Sequence, residues 1–155
     1  MLDDLVIRIF WAGPSSHKEA CDKIGKGLYQ VYQQHPLYGF TLVYIGMTRA
    51  SYGARLHDWK EGADPDFKNA CYYIGTVVPD SEQLELDRAI ELSEALLIHT
   101  HAPAYNSTYI KDLNRSEEMR RLRVLNYGTP RLIQREVSGL FWAHPFPSSP
   151  EDLDL

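Results

Sequence analysis

One acidic residue occupies a position where a helix should pack against the rest of the protein. In the helix predicted over residues 81–101, Glu94 has Ile90, Leu97 and Ile98 as neighbours at positions i−4, i+3 and i+4. A buried carboxylate requires an arginine, a metal ion or a proton, because an unpaired buried charge is costly. Alternatively, Glu94 lies at the edge of the apolar face and reaches water. Helical spacing alone leaves both arrangements open.

A second candidate lies on a short helix predicted over residues 51–61. Its residues Tyr52, Leu56 and Trp59 fall at i, i+4 and i+7 and should face the core. Arg55 lies at the border of this stripe, three residues after Tyr52. Taken alone, such an arginine is most often a solvated helix residue.

Strands and helices in alternation must position these residues. Residues 5–11 predict a strand, and residues 17–24 predict a helix that a preceding serine can cap. Residues 27–33 and 40–46 are rich in β-forming residues and predict a hairpin. A third stretch of this kind, residues 71–78, predicts a further strand. A capping pattern at Asp80 and Gln83 then predicts the start of the long helix.

The C-terminal third is predicted to contain one more helix and one more hairpin. Pro103 ends the long helix, and residues 116–121 predict a short helix before a hairpin-like unit over residues 122–142. Residues 144–155 are rich in proline and then in acidic residues, which predicts an extended or disordered tail. Residues 1–143 are therefore expected to form a single domain.

Composition narrows the class of protein. The chain has 155 residues, of which 44% are hydrophobic and 24% charged, which suits one globular domain. No segment reads as a signal peptide or membrane span, so we expect a cytoplasmic protein that does not enter membranes. The net charge of −5 argues against indiscriminate nucleic-acid binding, although residues 111–136 hold seven basic and four acidic residues. Cys21 and Cys71 lack the spacing of a zinc site.

The tripeptide Tyr-Ile-Gly occurs twice, at residues 44–46 and 73–75. Only the first copy follows a Gly-Leu-Tyr strand and precedes the helix that carries Arg55. In chain order the relevant residues are Gly27-Leu28-Tyr29, Tyr44-Ile45-Gly46, Thr48, Arg55, Glu94 and Pro103-Ala104-Tyr105-Asn106. This order resembles the GIY-YIG nuclease family over residues 27–106.

The resemblance implies an α/β (α+β) fold with a small three-stranded antiparallel sheet flanked by helices. The N-terminal strand and helix and the C-terminal hairpin would be additions to this core. The second Tyr-Ile-Gly copy would lie in the third strand, and its similarity to the first would be a coincidence of β-rich composition.

The same resemblance implies a role for each candidate. Tyr29 would be the base that takes a proton from water, and Tyr44 would orient the water or the phosphate. Arg55 would offset charge on the scissile phosphate. Glu94 would bind one Mg²⁺ or Mn²⁺, and Asn106 would form hydrogen bonds near the site.

One position departs from the family pattern. Many members carry a histidine four residues after the arginine, where this chain has Trp59. His57, two residues after Arg55, points elsewhere on an ideal helix and is a weak catalytic candidate. Plausible phosphate contacts outside the motif are Arg120, Arg121, Arg123, Arg131 and Arg135.

Three functions follow, in decreasing order of support. The first is a metal-dependent endonuclease acting on DNA, with RNA as a possible substrate. The second is an inactive domain of the same kind that binds nucleic acid or a protein partner. The third, a cysteine hydrolase using Cys71, lacks a recognisable nucleophile turn. The sequence leaves the substrate's strand state and the oligomeric state open.

Overall fold

Strands rich in β-branched and aromatic residues build one six-stranded mixed sheet in the computed structural model, which describes residues 3–53, 56, 70–80 and 82–142. The strands are β1 Leu5–Ser15, β2 Gly27–His35, β3 Gly39–Thr48, β4 Cys71–Pro79, β5 Leu122–Gly128 and β6 Glu136–Ser138. The described helices are α1 His17–Cys21, α2 Leu86–His101 and α3 Glu117–Arg121, followed by a 3₁₀-helix, Gly139–Trp142. The strand order across the sheet is β3-β2-β4-β1-β5-β6.

The sheet has six strands, so the prediction of a three-stranded sheet is wrong in the number of strands. The three expected strands are adjacent and antiparallel, with β2 between β3 and β4. Strand β1 then pairs antiparallel with β4 and parallel with β5, and β6 pairs with β5. Alternate residues of β1, Ile7, Ile9 and Trp11, are almost fully buried, so this strand is a central part of the sheet. The mixed α/β class is confirmed.

Packing in the sheet explains why both Tyr-Ile-Gly motifs end in glycine. Gly46 lies opposite Tyr29 across β2 and β3, and Gly75 lies opposite Trp11 across β1 and β4. A Cβ atom at Gly46 would collide with Cζ and Oη of Tyr29, and one at Gly75 would lie 2.8 Å from Cζ3 of Trp11. In each case the aromatic ring of the facing residue covers the glycine.

Each sheet face has its own core cluster. Helix α2 packs on one face, where Leu28 and Ile45 join Ile90 and Leu97 in the larger cluster. The smaller cluster on the other face includes Tyr29, Val31 and Tyr72 from the sheet, with Ala20 of α1, Tyr52 and Leu56. Tyr29 therefore belongs to the face opposite α2.

Helix α2 begins at Leu86, five residues later than predicted. The predicted cap, Asp80, accepts hydrogen bonds from Arg8, with 2.8 Å from Nε to Oδ2, and its backbone N–H donates to Val6. Asp80 therefore completes the sheet, and Glu85 becomes the N-cap without a side-chain cap bond. The C-terminus is as expected, because α2 ends before Pro103, with Ala102 in the left-handed conformation.

The N-terminal helix and the C-terminal helix and hairpin are close to the sequence predictions. Ser16 caps α1, although this helix ends at Cys21, before the predicted residue 24. Ser116 caps α3 through a hydrogen bond from Met119, and Val124 of β5 pairs antiparallel with Val137 of β6. No helix among the described residues is long and apolar enough to cross a membrane.

Some predictions fall outside the described residues. These include most of the helix predicted over residues 51–61, with Arg55, His57 and Trp59, and the tail over residues 144–155. Their placement stays a prediction.

Candidate active-site cleft

An open cleft of about 580 Å³ lies at the outer edge of β3 and is called the β3 cleft here. Tyr44 from β3, Glu94 from α2 and Asn106 from the chain after α2 all line it. These three of the five predicted catalytic residues are up to 62 positions apart in the sequence, so the fold brings them together. Tyr29 is not among the described lining residues, and Arg55 lies outside the described part of the chain.

Asn106 ties the chain after α2 to the middle of the first Tyr-Ile-Gly motif. Its Oδ1 accepts from the backbone N–H of Ile45 at 3.0 Å, and its Nδ2 donates to the Ile45 carbonyl at 2.9 Å. The neighbouring Tyr105 N–H donates to the Val43 carbonyl at 2.9 Å. The side-chain amide thus takes the place of a neighbouring strand at the edge of β3. It satisfies a backbone N–H and a carbonyl that no described strand pairs with on that side.

The two motif tyrosines occupy different environments. Their ring centroids are 6.0 Å apart with the planes tilted by 31°. Tyr44 is half-buried and lines the β3 cleft, whereas the side chain of Tyr29 has no exposed surface. Tyr44 can therefore contact a ligand in the cleft directly. A base at Tyr29 would require a path for water or a proton to its enclosed hydroxyl.

Glu94 is half-buried on the flank of α2 that faces the β3 cleft. The structure thus places it at the border of the packed face, as in the second of the two sequence alternatives. Among the described lining residues it is the only acidic one, and the described part of the chain contains no group of three His, Cys, Asp or Glu able to hold a metal. One carboxylate fits Mg²⁺ or Mn²⁺ that retains several water ligands, and does not fit a structural zinc site.

Arg49 is a cleft residue that the sequence interpretation missed. It follows β3 directly and is the only basic residue among the described residues that line the β3 cleft. Its Nη2 lies 2.7 Å from Oε2 of Glu91 on α2. Its position immediately after the Tyr-Ile-Gly strand and Thr48 was the available signal.

The five arginines predicted as phosphate contacts are not among the described lining residues of the β3 cleft. Arg123 lies on β5, four strand positions from β3, which corresponds to about 19 Å at ~4.8 Å per strand. Its Nη2 lies 2.7 Å from Oε1 of Glu136, and Arg121 donates to the Asp3 carbonyl at 2.8 Å.

The guanidinium of Arg131 lies 5.7 Å from the centre of the Tyr73 ring. Arg120 and Arg135 are exposed, and the nucleic-acid role of all five stays a prediction.

Comparisons of the chain with models of protein families, with curated proteins and with solved structures give no match. The family resemblance therefore depends on the motif residues themselves. Three of these residues, Tyr44, Glu94 and Asn106, are those that meet in the β3 cleft.

Proposed function

We propose that this chain is a GIY-YIG nuclease that hydrolyses phosphodiester bonds of DNA in a metal-dependent reaction. The observation that carries the proposal is the convergence of Tyr44, Glu94 and Asn106 on the β3 cleft. If each of the three residues had only an independent packing role, nothing would require all three to line the same cleft.

The donor groups of the β3 cleft suit a phosphodiester. Besides Tyr44, its described lining includes hydroxyl groups that can donate to phosphate or sugar oxygens, those of Ser51, Tyr105, Ser107, Thr108 and Tyr109. The cleft is open, so a polymer strand can cross it without threading. This combination of hydroxyls, one carboxylate and one arginine supports a nucleic-acid substrate.

Hydrolysis adds water across a P–O bond: the attacking water gives one proton to a base, for which Tyr29 is the candidate by resemblance, and the departing oxygen takes one proton from solvent. A bound Mg²⁺ or Mn²⁺ would supply charge stabilisation, with Glu94 as its protein ligand. The Tyr44 hydroxyl would orient the water or the phosphate from the same cleft. Asn106 uses its amide oxygen and nitrogen on Ile45, so it acts as a positioning residue that holds the cleft wall.

The test is cleavage of supercoiled plasmid, linear duplex, single-stranded DNA and RNA, each with Mg²⁺, Mn²⁺ or EDTA. The variant is Glu94→Gln, which keeps the size of the side chain and removes its charge. Asp87→Asn is the matched control, since Asp87 is on the same helix and pairs with Lys26 on the surface. We expect metal-dependent cutting that Glu94→Gln lowers by roughly a hundredfold or more and Asp87→Asn leaves unchanged. Equal activity of Glu94→Gln and the wild type would refute the proposal.

The burial of Tyr29 favours a second candidate, an inactive domain of this family that binds nucleic acid or a protein partner. Tyr29 lies next to Tyr44, but its side chain is fully buried and is not among the described residues that line the β3 cleft. This candidate predicts DNA binding without cutting of any of these substrates, whichever metal is present.

A further inference from the structure

The turn after β3 holds Arg49 in a fixed position. The buried Thr48 hydroxyl donates to the Ser51 carbonyl at 2.7 Å and accepts from the Ala50 N–H at 3.3 Å. These two bonds close the turn from the inside. Arg49 stands between the bonded residues, and its side chain is 49% exposed. The backbone is thus constrained, while the guanidinium remains accessible from the β3 cleft.

The carboxylate that holds Arg49 has a second partner. Glu91 accepts from Arg49 through Oε2 at 2.7 Å and from Arg88 through Oε1 at 2.9 Å. Arg88 is also bonded to Glu118 at 2.8 Å. If Arg49 moves to another anion, Glu91 keeps Arg88 and is not left unpaired. Moving Arg49 from Glu91 to another anion therefore costs little folding free energy, because exposed ion pairs contribute little to stability.

Helix α2 places this arrangement beside the candidate metal ligand. Glu91 precedes Glu94 by three residues, a rise of about 4.5 Å along the helix. An anion that replaces Glu91 as the partner of Arg49 would thus lie within one helical turn of Glu94. A guanidinium fits a phosphate with two parallel hydrogen bonds, which an ammonium group does not.

We infer that Arg49 is a phosphate-binding residue of the β3 cleft, held in place by Glu91 until the backbone of a nucleic acid replaces that carboxylate. The inference relies on the proposed function for the identity of the ligand. It does not require that the bound strand be cut.

The test measures the affinity of the full chain for a fluorescent single-stranded oligonucleotide and for its duplex in EDTA, over a series of salt concentrations. The variants are Arg49→Gln and Glu91→Gln. The control is Arg8→Gln, because Arg8 is 38% exposed, against 49% for Arg49, and is likewise paired with an acidic residue, Asp80, but lies on β1. Thermal unfolding of each variant checks that it is folded.

We expect Arg49→Gln to weaken binding roughly tenfold to a hundredfold. The plot of log affinity against log salt concentration should also become less steep, with its slope smaller in magnitude by about 0.7 for the single strand or about 0.9 for the duplex. Arg8→Gln should match the wild type, and Glu91→Gln should bind at least as tightly as the wild type because Arg49 is released. An unchanged slope for Arg49→Gln, an equal loss in Arg8→Gln, or no binding by the wild type would overturn the inference.

Cleavage by the same proteins in Mg²⁺ separates this inference from the proposed function. Binding that depends on Arg49 without any cutting would refute the endonuclease and leave the phosphate site standing. Cutting that depends on Glu94, with binding indifferent to Arg49, would refute only the phosphate site.

Discussion

Replacing Asn106 by alanine should loosen the wall of the β3 cleft. The substitution removes both hydrogen bonds to the backbone of Ile45, whose side chain is fully buried. Each bond contributes about 0.5–1.5 kcal/mol net, which gives a loss of about 1–3 kcal/mol in the free energy of unfolding. For a domain of this size that corresponds to roughly 2–12 °C in Tm.

The assay is urea and thermal unfolding of Asn106→Ala beside Asn114→Ala. Asn114 is also in the chain after α2, but it is exposed, so its replacement should change the free energy of unfolding by less than about 0.5 kcal/mol. If both variants unfold at the same urea concentration as the wild type, the amide of Asn106 does not hold the edge of β3, and the account of the cleft wall is refuted.

Two further predictions concern the sheet and the end of α2. Gly46→Ala forces a methyl group into the ring of Tyr29 and should cost about 1–3 kcal/mol, measured by urea unfolding; a neutral result would contradict the observed packing. Burial lowers the pKa of His101, which donates from Nδ1 to the Leu97 carbonyl and accepts at Nε2 from the Gln134 N–H. The unfolded chain then binds the proton more readily, so the free energy of unfolding should fall as the pH drops below about 6.5, by at most ~1.4 kcal/mol per pH unit. His101→Gln should reduce this dependence, and an identical pH profile would exclude His101 as its source.

Local patterns predicted the elements better than their assembly. A composition rich in β-branched and aromatic residues identified β2, β3 and β4, because such residues favour strands. The parallel pairing of β1 with β5 joins residues more than a hundred positions apart, and no local signal reports it. The N-terminal strand and the C-terminal hairpin were therefore expected as additions to a three-stranded sheet, whereas all six strands form one sheet.

The same limit applies to side chains whose partners are distant in sequence. Asp80 reads as a helix cap, yet its partner is Arg8, 72 residues away. Arg49 reads as an ordinary turn residue, and only its contact with Glu91 and its place in the β3 cleft make it a candidate. A strand over residues 27–33 places Tyr29 and Val31 on one face, but the full enclosure of Tyr29 depends on the residues that cover that face.

The proposed reaction requires that the β3 cleft bind a divalent metal through Glu94. The most direct measurement is anomalous diffraction from crystals soaked in Mn²⁺, for the wild type and for Glu94→Gln. We expect an anomalous peak at the Glu94 carboxylate within the β3 cleft of the wild type and no such peak in the variant. A wild type without a peak in the cleft, or a peak that persists in Glu94→Gln, would contradict this expectation.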